Sequence, residues 1–249
     1  MPLMKTGIAK INDIEMYYQQ DGQGEPLVLL HGFTGCSDDW FPFIDRLMDG
    51  HRLIVPDLRG HGHSTNPGTS FTHRQCALDV CALLDTLGID RYDAIGTSTG
   101  AKTLLHVATR QTSRLRRMVL VSSTPYYPAQ ARALMAEFSE IQRSEVEWHF
   151  MRSRHKCGDD QIRALWAQGS VFAKDYEDMN FTPPHLATIA AETLIVHGDR
   201  DPFYPASLAL EMYTAIPRAR LWIVPNGGHI PIFGNQASEF AATASAFLR

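Results

Sequence analysis

Ser98 stands between two glycines in the run Tyr92 to Lys102, YDAIGTSTGAK. An apolar, strand-like stretch leads into Gly96, and a helix-like stretch, Ala101 to Thr109, leads out. The Gly96-Thr97-Ser98-Thr99-Gly100 spacing suits a sharp strand-to-helix turn with its middle residue in a strained conformation. Glycines lack a Cβ, so strand and helix can approach closely around it. A serine at such an apex projects its hydroxyl free of the sheet. It also sits at a helix N-terminus, where backbone N–H groups favour developing negative charge. A G-x-S-x-G match by itself equally describes an ordinary loop. A nucleophilic serine also requires a base, a group that orients the base, and donors for an oxyanion.

In a parallel sheet, residues just past the C-terminal ends of the strands converge on one edge. The apolar run Pro26 to Leu30 is followed by His31-Gly32-Phe33, and Tyr92 to Gly96 by Ser98. Glu192 to Val196 is followed by His197-Gly198-Asp199-Arg200-Asp201-Pro202, and Arg220 to Val224 by Pro225-Asn226-Gly227-Gly228-His229. A serine, an acid, a histidine and a glycine-bearing turn therefore all fall at strand ends, in the chain order Ser, Asp, His. Asp199 and Asp201 are both candidates for the acid. The chain has 11 histidines, so most of them serve no chemistry. His31 and His197 read as turn-packing residues, and His61, His63 and His106 as surface or turn residues. His149, His155 and His185 lie in or near a helical insertion, where each reads first as serving no chemistry, with substrate contact as the alternative. The run Arg152 to Lys156, RSRHK, reads as a solvated helix face.

The elements that must hold these residues alternate. Strands are expected at 7–12 and 14–19, joined by a tight turn at Asn12-Asp13, then at 26–30, 52–56, 92–96, 115–121, 192–196 and 220–224. Helices are expected at 38–47, 71–87, 101–109, 205–215 and 237–248. Such alternation implies an α/β fold, a parallel sheet with helices on both faces. From about Ser123 to Pro184 the pattern breaks into helical periods with no strand signal, rich in large apolar side chains. The expected division is a core of 1–122 and 185–249 with a helical cap at 123–184. Trp148, Met151, Trp166 and Phe172 are expected to give that cap an apolar underside lining a substrate pocket.

Composition narrows the function classes. The 249 residues carry a mild net charge of −4, which argues against a nucleic-acid partner and offers no basic stripe for an anionic membrane. The first residues, MPLMKTGIAK, contain no apolar run of signal-peptide length, and no segment is apolar enough to span a bilayer. The cysteines, Cys36, Cys76, Cys81 and Cys157, show no metal or disulfide spacing, and Cys76 and Cys81, within one helix-like stretch, read as buried thiols. A cytoplasmic monomer or homodimer is the expectation.

Taken together, HGF at 31–33, DLRGHGHS at 57–64, GTSTG at 96–100, HGDRDP at 197–202 and GGH at 227–229 resemble the α/β-hydrolase superfamily over nearly the whole chain. The resemblance implies a mostly parallel eight-stranded sheet with a helical cap insertion. It implies Ser98 as nucleophile, His229 as general base and Asp201, rather than Asp199, as the acid. It places the oxyanion donors at the backbone N–H groups of Phe33 and Thr99, and it suggests that Arg59 helps to organise the site. Two features depart from the commoner family pattern. Threonines flank the serine on both sides, and Ala101 replaces a second glycine. The implied activity is hydrolysis of a small or medium carboxylic ester or lactone through an acyl-serine, with no metal or organic cofactor needed. The rivals are a carbon–carbon bond hydrolase of ring-cleavage products and a hydrolase-fold small-molecule receptor with slow turnover.

Overall fold

The computed structural model describes residues 4–68, 70–138 and 143–249. Its sheet has eight strands: β1 (Lys5–Ile11), β2 (Ile14–Gly22), β3 (Glu25–Leu30), β4 (His51–Pro56), β5 (Tyr92–Thr97), β6 (Leu115–Val121), β7 (Glu192–Gly198) and β8 (Ala219–Val224). They lie in the order β1-β2-β4-β3-β5-β6-β7-β8. Only β2 runs against the others, pairing antiparallel with β1 and β4. The two-residue turn between β1 and β2 puts Ile11 opposite Ile14, with Asn12 at φ 47°.

The central strands are apolar on both faces because both faces are covered. Their side chains alternate between two cores. Val28, Leu30, Ala94, Met118 and Leu120 face one core, with α2 (His73–Thr86), α3 (Thr99–Arg110) and α8 (Ala206–Ala215). Leu27, Leu29, Ile95, Val119 and Val121 face the other, with α1 (Ile44–Leu47) and α9 (Ala237–Phe247). Thr72 starts α2 by accepting the Gln75 N–H. The single helix expected at 38–47 is instead a 3₁₀ turn at Ser37–Trp40 followed by the short α1. Pro42 lies between them and has no N–H to carry a helical ladder across. Among the described residues no helix is long and apolar enough to cross a membrane.

Between β6 and β7 the described chain adds no strand to the sheet. It runs through α4 (Ala129–Ala136), α5 (Glu145–Arg154), α6 (Asp159–Phe172) and the short α7 (Pro183–Leu186). An isolated bridge, Tyr126 to Asn180, pinches the base of this excursion. The segment is not packed only on itself. Tyr127, Met135, Phe172, Met179 and Phe181 join the core on the α2–α3 side of the sheet. Asp178 accepts the N–H groups of His73 and Arg74 at the start of α2.

The segment's basic run is a solvated face at Arg152, Ser153 and Lys156, but its other two residues turn in. Arg154 pairs with Asp39, and His155 is buried. Of the histidines expected as surface or turn residues, His61 lies in the 57–64 turn but is buried, and His106, on α3, is largely buried with Asp178 Oδ1 at 3.4 Å.

Candidate active site

β5 ends at Thr97 and α3 begins at Thr99, so Ser98 alone makes the corner. Its φ of 46° and ψ of −104° lie outside the regions a side-chain-bearing residue prefers. The glycines on either side make this corner possible. A Cβ on Gly96 would lie 2.5 Å from the Gly100 carbonyl carbon, and a Cβ on Gly100 would lie 2.3 Å from the Leu30 carbonyl oxygen. Two hydrogen bonds brace the turn: Ser98 N–H to Val121 O (2.8 Å) and Gly100 N–H to His31 O (3.1 Å).

Ser98 Oγ lies 2.9 Å from His229 Nε2, and His229 Nδ1 lies 2.8 Å from Asp201 Oδ2. Asp201 is buried after β7. Its other oxygen accepts the N–H groups of Phe203 (2.8 Å) and Tyr204 (3.2 Å). Burial pushes the Asp201 carboxyl up. The His229 hydrogen bond and charge and the two backbone N–H bonds outweigh that, so it stays below the usual aspartate value. Asp199 is exposed and does not reach the imidazole. The His229 ring is walled by Phe203 and Tyr204, at 4.8 and 5.3 Å between centroids. Its loop is pinned where Ser122 Oγ accepts the Ile230 N–H at 3.3 Å.

With the proton on His229 Nδ1, held by Asp201, Nε2 is left to accept from the serine hydroxyl. That arrangement can raise an alkoxide-like nucleophile at neutral pH. The Thr99 N–H belongs to the first turn of α3, whose donors have no acceptor within the helix. The chain matches the model of the alpha/beta hydrolase family over residues 27–243. It belongs to that family.

Two curated relatives and one solved structure illustrate the range of this family. The chain is 28% identical to a pimeloyl-[acyl-carrier protein] methyl ester esterase of Nitrosomonas europaea, covering 87% of this chain and 93% of that protein. It is 28% identical to a 2-hydroxymuconate semialdehyde hydrolase of Pseudomonas sp. strain CF600, covering 91% and 88%. The enol-lactonase of Burkholderia xenovorans LB400 superposes with a TM-score of 0.78 at 25% identity, covering 97% and 99%.

Beside the alpha/beta hydrolase corner lies a cavity of about 130 Å³ that includes Ser98, Thr99, His229 and Phe33 in its lining. Of the side chains expected to line it, Phe172 does. Trp148, Met151 and Trp166 are not in its lining; they pack with Ile162 and Leu165 in a cluster that Phe33 also touches, the two indoles edge-on at 4.5 Å. The insertion supplies Met135 and Phe138 in their place, and the core adds Lys102, Phe203, Tyr204 and Ile230. Apolarity marked all of these insertion side chains alike, and only the packing of α4 and α5 against α6 decides which line the cavity. A larger cavity of about 440 Å³, lined by Arg59, Asn66, Cys157 and Gln161 among others, contains none of these reacting groups.

The remaining sequence candidates are structural. Arg59 is buried and forks onto Asp79 (2.7 and 3.1 Å), with Asp13 at 2.9 Å. His31 lies under the turn that carries Phe33, and Leu58 N–H donates to its Nε2 at 3.0 Å. His197 Nε2 lies 2.9 Å from the Tyr204 carbonyl oxygen. His149 and His185 are exposed.

Proposed function

We propose that this alpha/beta hydrolase is a serine hydrolase that cleaves a small or medium carboxylic ester or lactone. The observation that carries the reading is the continuous chain from Ser98 Oγ through His229 to Asp201, with both links under 3 Å. His229 takes the hydroxyl proton as Ser98 attacks the carbonyl carbon. Asp201 holds the imidazole tautomer and stabilises the imidazolium. The N–H groups of Phe33 and Thr99 stabilise the tetrahedral oxyanion. The proton passes from His229 to the leaving alcohol, and water activated by the same imidazole then clears acyl-Ser98. The helical segment 123–184 acts as a cap, closing the site with Met135, Phe138 and Phe172. The cavity is below the roughly 300–1,000 Å³ of sites for drug-sized ligands, which favours a short acyl or alcohol group.

A second reading, carbon–carbon bond hydrolysis of a ring-cleavage product, draws support from the relative named as a 2-hydroxymuconate semialdehyde hydrolase. A turnover screen over p-nitrophenyl esters of increasing length, lactones and one ring-fission dienoate separates the two. Alongside it, a fluorophosphonate should label Ser98 and no other residue. Labelling that persists in Ser98→Ala removes the serine from the proposal.

A further inference from the structure

Lys102 lies one helical turn beyond Ser98 on α3, and its N–H donates to the Ser98 carbonyl oxygen at 2.9 Å. Residues so spaced share a helix face. Lys102 is only 2% exposed, yet it lines the cavity that holds Ser98 and His229. Its ammonium has three donors. Among the described residues one is used, on Tyr204 Oη at 2.8 Å. The Tyr127 and Tyr204 rings stand about it at 5.1 and 5.2 Å. The two carboxylates whose field reaches it, Asp201 and Asp178, are committed elsewhere. Asp201 is held by His229 and two N–H groups, and Asp178 by His73 and the start of α2.

A buried ammonium with no ion-pair partner is costly, because it gives up water and gains no counter-charge. Burial accordingly drives the Lys102 amine down to about 7. A carboxylate entering the cavity would supply the missing charge and acceptors for the two spare N–H groups. The rest of the pocket is chiefly apolar, with Phe33, Met135, Phe138, Phe172 and Phe203 around it. Apart from the backbone N–H groups assigned to the oxyanion and the His229 imidazole, Lys102 is the cationic group in that lining.

We propose that Lys102 anchors a carboxylate on the substrate, so that the preferred substrate is an ester or lactone bearing a second, free carboxyl group, such as a half-ester of a short dicarboxylic acid. This rests on the serine-hydrolase reading above. A lysine that merely props Tyr204 would show no preference between anionic and neutral substrates.

The test compares the monomethyl esters of glutaric and adipic acid with neutral methyl esters in which an isopropyl group replaces the carboxylate. The parent protein should favour the anionic member by roughly 10- to 100-fold in kcat/KM, the range of a charge-assisted hydrogen bond. The same ratio, measured within Lys102→Met, should fall to near one or below, while fluorophosphonate labelling of Ser98 reports an intact site. If Lys102→Met does not fold, Lys102→Gln keeps a donor for Tyr204 without the charge and should show the same collapse. A parent ratio near one, or a ratio unchanged in the variants, overturns the inference while leaving the hydrolase reading in place. Calorimetric binding of monomethyl adipate to Ser98→Ala, with and without the Lys102 change, reads the anion site without turnover. If no ester is cleaved and Ser98 is not labelled, the hydrolase reading fails. The anion site then stands or falls on whether that binding is present and depends on Lys102.

Discussion

His155 Nε2 lies 3.1 Å from the carbonyl oxygen of Thr34, joining the end of α5 to the turn that carries Phe33. The other nitrogen, Nδ1, accepts the Gly62 N–H at 2.9 Å, so Nε2 is the donor and the ring is neutral. His31 is locked in the same way, with Nε2 accepting the Leu58 N–H and Nδ1 donating to Gly32 O at 2.7 Å. A proton added to either ring would face a backbone N–H. The two rings flank His61, at 5.9 and 5.0 Å between centroids. Burial drives His31, His61 and His155 each down to about 3.

This trio makes stability pH-dependent in a definite direction. Above about pH 6.5, the ordinary histidine value, neither folded nor unfolded chain protonates these rings. Below it the unfolded chain takes up protons that the folded chain refuses. The stability contribution is therefore complete above pH 6.5 and is lost as pH falls toward 3. Urea midpoints measured from pH 7 to 4 should fall steadily. Replacing His155 by Gln, which can accept from Gly62 and donate to Thr34, should reduce the slope by one proton, about 1.4 kcal/mol per pH unit. An unaltered slope in that variant would mean that His155 protonates freely in the folded state.

Asp201→Asn should lower kcat by on the order of 10³ to 10⁴, because an amide favours the wrong His229 tautomer. Asp199→Asn should change it little, since Asp199 is exposed and out of reach of the imidazole. Steady-state kinetics on one good ester decides the matter. Equal losses in both variants would mean that the carboxylate pair acts through the turn and not through the Asp201–His229 bond.

Gly100→Ala should be worse than its size suggests. The added methyl meets the Leu30 carbonyl at 2.3 Å, and backbone at the end of a central strand cannot step aside. The expected loss of stability is about 1–3 kcal/mol, typical of overpacking, together with slower fluorophosphonate labelling of Ser98 as its corner shifts. Gly50 is the control for a glycine with open space about its Cβ position, although its φ of +83° still strains alanine. A Gly100→Ala protein with parent stability and labelling would show that the strand–helix contact is not tight.

The strand ends were legible because parallel strands buried on both faces are short apolar runs, and the residues after them are free to be polar. Ser98, Asp201 and His229 come from such ends, and their side chains meet as the topology requires. Which carboxylate turns inward was left open by the residues themselves, since Asp199 and Asp201 share one turn. The insertion was legible as helical but not in its facing. Trp148 and Phe138 are both large and apolar, and only their packing on α6 separates them: Trp148, on α5, lies against Trp166, while Phe138, just after α4, lies against Gly169 and lines the cavity with Ser98. Lys102 was missed because lysine in a helix normally faces solvent. The available signal was position, four residues after the candidate nucleophile on a helix whose segment Thr99 to Leu105 is buried throughout.

The cap proposal makes the last prediction. Met135, Phe138 and Phe172 line one side of a cavity of about 130 Å³, and Phe33 and Phe203 line the rest with the reacting groups. Each apolar side chain of this size that a substrate covers contributes roughly 1.5–3 kcal/mol at full burial. Contacts kept equally in ground and transition state lower KM, while those made only in the transition state raise kcat. For neutral p-nitrophenyl esters, kcat/KM should rise from acetyl to about butyryl or hexanoyl and fall once the small cavity is full. Phe138→Ala should shift that maximum to a longer chain, because it opens the wall that α4 holds against Gly169 of α6. Trp148→Ala should leave the maximum where it is, since Trp148 packs on Trp166 and is not among the side chains lining the cavity. A maximum that moves with Trp148 and not with Phe138 would mean that substrate enters by the other face of α6.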